Sequence, residues 1–223
     1  MKIRKYIALL VFCLFTASAY ADIELQVTYT DKSGSEITAT ESFSAEAPLH
    51  IRLTSNPSGL DAGATIEWHI KNNTAGINIT RYEENTEYDL TVAGVTEITL
   101  QVVLDNEVVE SSSLRITISN SHLEMPNAFS PNGDGFNDIY RAKQDTYKSI
   151  VEFHAYIFNR NGQKLYEWTD ITGGWDGTHN GHPVKDGVYF VYVKARGADG
   201  IEYNIRRDVN LIRNYNTVDT TNQ

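Results

Sequence analysis

Met125-Pro-Asn-Ala-Phe-Ser-Pro-Asn-Gly-Asp-Gly-Phe-Asn-Asp138 is the stretch on which the reading of this chain turns. Its density of Pro, Gly, Asn and Asp is that of a loop, and it opens a C-terminal half rich in strand signals. Residues 150–159, Ile-Val-Glu-Phe-His-Ala-Tyr-Ile-Phe-Asn, carry apolar side chains on both faces, as a central strand does. Asn161-Gly162 is a short hairpin signal, with residues 163–168 returning from it. Asp186-Gly187 launches a strand over 188–195, and the turn Ala198-Asp-Gly200 leads into a last one ending near Arg213.

Working back from the loop, the segment 121–126 ends in Met-Pro and reads as a short linker. Residues 22–120 then break into apolar/polar alternations at 23–29, 49–53, 65–70, 88–92, 97–104 and 114–118, separated by turn-formers such as Asp31-Lys-Ser-Gly34. No helical period runs through either half. The expected fold is all-β: two consecutive antiparallel, immunoglobulin-like β-sandwich domains. They occupy 22–120 and 127–213, and the polar stretch 214–223 forms a tail. Trp68, inside Ile66-Glu-Trp-His-Ile70, reads as a core residue, with a sugar-stacking platform as its alternative.

The first 21 residues read as a cleaved signal peptide. Lys2, Arg4 and Lys5 precede an apolar run over 6–15, and Ala19-Tyr-Ala21 supplies a small-x-small cleavage site before Asp22. The run is too short for a permanent membrane span. Cys13 is the only cysteine, so cleavage leaves a chain without disulfides. Cleavage also removes three of the 19 Lys/Arg and none of the 29 Asp/Glu, turning the net charge of −10 into 16 minus 29, or −13. Such a surface repels phosphate backbones and anionic lipid, which argues against nucleic acid and membrane surfaces as partners.

Four segments of the second half stand in a fixed order: Phe129-Ser-Pro-Asn-Gly-Asp-Gly-Phe-Asn-Asp138, Ile157-Phe-Asn-Arg-Asn-Gly162, Gly174-Trp-Asp-Gly-Thr178 and Gly187-Val-Tyr-Phe190. The chain then runs to Val209-Asn-Leu-Ile-Arg213. Together, over about residues 125–213, they resemble the gliding-motility-associated C-terminal domain, the type B sorting domain of the type IX secretion system of Bacteroidetes. That resemblance implies an exported protein at the cell surface or beyond it, or in the periplasm of a host without the translocon. It also implies a partner in the outer-membrane secretion and attachment machinery. The motif residues it points to are Pro131, Asn132, Gly133, Asp134, Gly135, Asn137, Asp138, Trp175, Asp176, Gly177 and Arg213. In strand rhythm and Trp68, residues 22–120 resemble immunoglobulin-like or polycystic-kidney-disease-like bacterial surface domains.

The loop has a physical reading of its own. Gly133 and Gly135 permit positive φ, so the backbone curls tightly. Asn132, Asp134, Asn137 and Asp138 then bring side-chain oxygens into a small volume, the donor set a hard cation such as Ca²⁺ prefers. The alternative is a metal-free loop stabilised by Asx turns. Phe136 stands where a ligand would help, and no Glu completes an EF-hand spacing. Trp175-Asp-Gly177 reads as a buried indole beside a turn, with sugar stacking as the alternative. His179-x-x-His182 near Asp176 has metal-binding residue types but sits in a Gly-rich connection, which favours solvated histidines. No G-x-S-x-G elbow, H-E-x-x-H helix or phosphate-cradling loop occurs. The expectation is a non-enzymatic surface protein without a cofactor. Its first domain would bind an unidentified protein or glycan, or both domains would serve as a stalk or assembly subunit.

Overall fold

The computed structural model describes residues 22–213, so the signal peptide and the tail lie outside the described residues. Within them the chain is all-β, with no helix. The first domain contains β1 (Gln26–Thr30), β2 (Glu36–Ala39), β3 (Phe43–Ala45), β4 (Leu49–Thr54), β5 (Thr65–Asn72), β6 (Ile77–Arg81), β7 (Asn85–Leu90), β8 (Gly94–Leu104) and β9 (Glu107–Ile118). They form two sheets, ordered β2-β1-β4-β7 and β3-β9-β8-β5-β6. All pairings are antiparallel except β3 with β9, which is parallel.

The core between these sheets follows from alternation. In β4 the inward residues Leu49, Ile51 and Leu53 are buried while His50 and Arg52 face water, and in β8 Ile98, Leu100 and Val102 do the same. Trp68 lies at the centre with no exposed surface, and its indole N–H donates to the Glu83 carbonyl at 3.0 Å. The sugar-platform reading of Trp68 is thereby corrected, because no ring face reaches solvent. The 88–92 alternation belongs to a strand that starts earlier, at Asn85. The short strands β2, β3 and β6 had no clear sequence signal, since each is an edge strand with few buried side chains.

The second domain contains β10 (Ala128–Phe129), β11 (Ile150–Phe158), β12 (Lys164–Trp168), β13 (Thr178–His179), β14 (His182–Pro183), β15 (Gly187–Gly197) and β16 (Glu202–Leu211). One five-stranded sheet, β10-β16-β15-β11-β12, carries the core on one face. The opposing side of the core comes from irregular segments carrying Leu123, Met125, Tyr140, Ala142 and Trp175, rather than from a second long sheet. Asn161-Gly162 does sit in a hairpin, but only Gly162 has positive φ, and β12 starts at Lys164. The two-residue turns with both residues left-handed are Asp105-Asn106, between β8 and β9, and Asn180-Gly181, between β13 and β14.

The segment 121–126, read as a linker, is corrected by the packing. Leu123 and Met125 belong to the second core. Ser121 donates through its backbone N–H to Asp199 Oδ2 at 2.8 Å, and His122 pairs its backbone with Lys148. The domains meet directly. Ala198, from the β15–β16 turn, packs into the first core and accepts a hydrogen bond from the Ala93 N–H at 2.9 Å. Buried Ser149 holds a positive φ of 46° and accepts from the Ala47 N–H at 3.2 Å. Lys32 reaches across to the Tyr147 carbonyl and pairs with Glu46.

Candidate functional site

Strand direction places the ordered motif segments. β15 leaves Gly187 and arrives at Gly197 beside the domain junction, a run of about 33 Å for its length. Gly187 pairs with Leu211 at the other end, so both lie at the pole farthest from the first domain. The Pro131 loop, the Trp175-Asp-Gly turn, the Asp186-Gly187 turn and Arg213 all converge there.

Trp175 is the centre of the pole. It has no exposed surface, its indole N–H donates to the Thr178 carbonyl at 2.7 Å, and its backbone exchanges two hydrogen bonds with Tyr140. The ring packs against Phe129 at 5.3 Å and meets Tyr189 edge-on at 5.1 Å. Burial corrects the sugar-stacking reading of Trp175, as it does for Trp68. The hydroxyl of Tyr140 donates to the Pro126 carbonyl and that of Tyr189 to the Lys185 carbonyl. Burial pushes both phenols up from their usual pKa, so both remain neutral donors.

Arg213 ties three segments together. Its Nη1 donates to the Val184 carbonyl at 2.6 Å and to Asp186 Oδ1 at 2.7 Å, while Nη2 donates to the Gly177 carbonyl at 3.1 Å. Its backbone N–H donates to Asp186 Oδ2 at 2.8 Å. That backbone bond, with the guanidinium beside it, lowers the Asp186 pKa. Gly177 has a φ of +79°, and a Cβ there would meet Pro131, Leu211 and Arg213 at 3.0–3.1 Å. Only a glycine lets the turn close this tightly.

The acidic loop is held by its own backbone. Asp138 accepts from the Gly133 N–H at 2.7 Å and the Gly135 N–H at 2.8 Å, which lowers its pKa. Asp134 accepts from the Phe136 N–H at 2.8 Å and from Asn132 Nδ2 at 2.9 Å, and Asn132 Oδ1 accepts from the Asp134 N–H at 3.1 Å. Asn137 takes a left-handed φ of 54°. These oxygens face the loop's own N–H groups, the Asx-turn arrangement. The loop lifts Phe136 into solvent, 77 % exposed. Nearby, Asp176 Oδ1 accepts from the N–H and hydroxyl of Thr178, and His179 Nδ1 lies 2.8 Å from the Leu165 carbonyl. The His179/His182/Asp176 grouping is therefore split up, and no cluster of three or more His, Cys, Asp or Glu fit for a metal occurs among the described residues.

Every motif residue from Pro131 to Arg213 is thus brought to one pole. Sequence reading missed Asp186 as the carboxylate partner of Arg213, having read Asp186-Gly187 only as a turn. It also missed Tyr140 and Tyr189 as the walls around Trp175. Aromatic residues flanking the motif glycines were the available signal.

This geometry is accompanied by a direct match. Residues 123–205 match the CHU_C type IX secretion signal domain. The match begins inside the segment 121–126 and leaves the whole first domain, and the segment from 206 to Arg213, outside it. No curated protein matches the chain. Among solved structures the chain is similar to dimeric latent PorU from Porphyromonas gingivalis, at 11% identity over 87% of this chain and 20% of that one, with a TM-score of 0.27. It is also similar to SGBP-B of the Bacteroides ovatus mixed-linkage glucan utilization locus, determined with a mixed-linkage heptasaccharide, at 16% identity over 77% of this chain and 43% of that one, TM-score 0.28. This chain spans about a fifth of the PorU chain. No helix among the described residues is long and apolar enough to cross a membrane.

Proposed function

We propose that this chain is an exported surface protein whose second domain is an address read by outer-membrane type IX machinery and whose first domain is a non-enzymatic binding module. The observation that carries the reading is the convergence of the motif segments on one free pole. Phe129, Tyr140, Trp175 and Tyr189 fix the backbone, Arg213 clamps the turns, and the Asp134/Asp138 loop presents Phe136 rigidly. A preorganised surface loses little conformational entropy when a receptor engages it. The first domain sits at the opposite end, where it leaves the pole accessible to a receptor.

The test is protease accessibility on intact cells of the native host, comparing the full chain, a chain ending at His122, and Phe136→Ser. The expected result is surface exposure for the full chain, periplasmic retention for the truncation, and at least a several-fold loss of surface protein for Phe136→Ser. The Phe136 ring is exposed, so its removal tests recognition without removing core. Equal surface levels for the full chain and the truncation would overturn the address.

A further inference from the structure

Charge and apolar surface are distributed unevenly along the molecule. Residues 22–120 hold five Lys/Arg against 16 Asp/Glu, net −11, whereas residues 121–213 hold 11 against 12, net −1. The far tip of the first domain is the β8–β9 hairpin, opposite the junction at Ala93. There Val108 and Val109 are exposed on successive positions, 53% and 41%, beside Asp105, Glu107 and Glu110. The turn is a tight Asp105-Asn106 pair, so the tip is a fixed shape rather than a loose loop.

The far pole of the second domain offers the complementary surface. Alternation along β15 turns Val188 and Phe190 outward, and Ile212 follows directly on the end of β16, each more than 40% exposed. Strand register sets Phe158 directly across from Phe190. Single exposed apolar residues are ordinary, but alternation and register put Val188, Phe190 and Phe158 on one sheet face, with Ile212 at its end. The adjoining groove of about 500 Å³ is lined by Phe158, Phe190, Tyr192, Arg206, Arg207 and Asp208. Arg206 is held over the Tyr192 ring at 4.8 Å, beside the apolar patch, and has no carboxylate partner among the described residues.

We propose that the chain associates head to tail: the acidic, valine-tipped β8–β9 hairpin of one copy docks on the arginine-rimmed apolar patch around Phe190 of the next. The two surfaces differ and lie at opposite ends, so the contact is heterologous and propagates as a linear array rather than closing as a symmetric dimer. Apolar contact supplies the adhesion and the Glu107/Glu110–Arg206 pairing supplies the register. This inference does not rest on the sorting reading, but it uses the same pole, so a docked copy and a receptor would compete there. Association is therefore measured on the purified chain without secretion machinery.

Sedimentation velocity of the purified full chain tests it, from about 1 µM to about 1 mM. The expected result is a sedimentation coefficient that rises with concentration without a plateau at dimer. Phe190→Ser is expected to weaken association at least tenfold. Glu107→Lys/Glu110→Lys and Arg206→Glu should each weaken it, and combining them should restore it, with circular dichroism confirming the fold of every variant. A monomer throughout, a plateau at dimer, or charge swaps that fail to rescue one another would each overturn the proposal.

Discussion

The two domains are both β-folds, yet different physical devices hold them. The first is a sandwich in which strict alternation buries one face of each sheet around Trp68. The second has one long sheet, and its other layer is held by aromatic rings, turns and a single arginine. A core made by alternation tolerates change in its loops. A layer made of turns does not, because the turns are themselves the packing. The charge contrast, −11 against −1, comes mainly from the basic residues: the first domain sets five Lys/Arg against 16 Asp/Glu, the second 11 against 12. Carboxylates are paired with basic side chains in both.

The largest expected effect comes from removing the fully buried tryptophan at the centre of each domain, Trp68 or Trp175. Trp68→Ala should cost about 3–5 kcal/mol, as large-to-small core changes do, and lower the thermal midpoint of the whole chain because Ala198 is part of the same core. Trp175→Ala should cost a similar amount but act first on the pole. Calorimetry combined with amide exchange separates the two, and uniform loss of protection in both variants would erase the contrast between the domains.

Gly177→Ala is expected next, at about 1–3 kcal/mol, from left-handed strain and crowding against Pro131, Leu211 and Arg213. An equivalent change at Gly34 in the first domain meets open space and should show the backbone strain without the crowding. Arg213→Ala should cost about 1–3 kcal/mol in lost charge-assisted hydrogen bonds, measured by urea denaturation, with Lys only partly restoring the clamp.

Acidification should act on the second domain's pole before its sheet. Asp138 and Asp186 have folded-state pKa values below their unfolded value of about 4. Their stabilisation is therefore complete above roughly that pH and is lost as pH falls through the lowered folded values. Exchange of the Gly133 and Gly135 amides, followed from neutral pH downward and corrected for intrinsic rates, should show protection lost in that window. Protection unchanged by Asp138→Asn would break the assignment. The smallest effect is that of calcium: because the loop oxygens already accept from backbone N–H groups, Ca²⁺ or a chelator should leave the midpoint unmoved. A rise with Ca²⁺ would restore Asn132, Asp134, Asn137 and Asp138 as ligands.

The sequence by itself determined a good deal. Alternation at 49–53, 65–70 and 97–104 identified core strands, because burial of one sheet face imposes a period of two. The spaced glycines and Asx residues of 132–138 identified a curled loop, since those residues carry local conformational preferences. What is local or periodic was legible. Tertiary structure decided the remainder. Whether 121–126 was a linker or core, whether Trp175 faced sugar or Phe129, and which carboxylate would meet Arg213 all depend on contacts between segments far apart in the chain. No periodicity encodes such contacts. They exist only once the sheet brings Gly187 and Leu211 side by side and sets the motif turns against one another at a single pole.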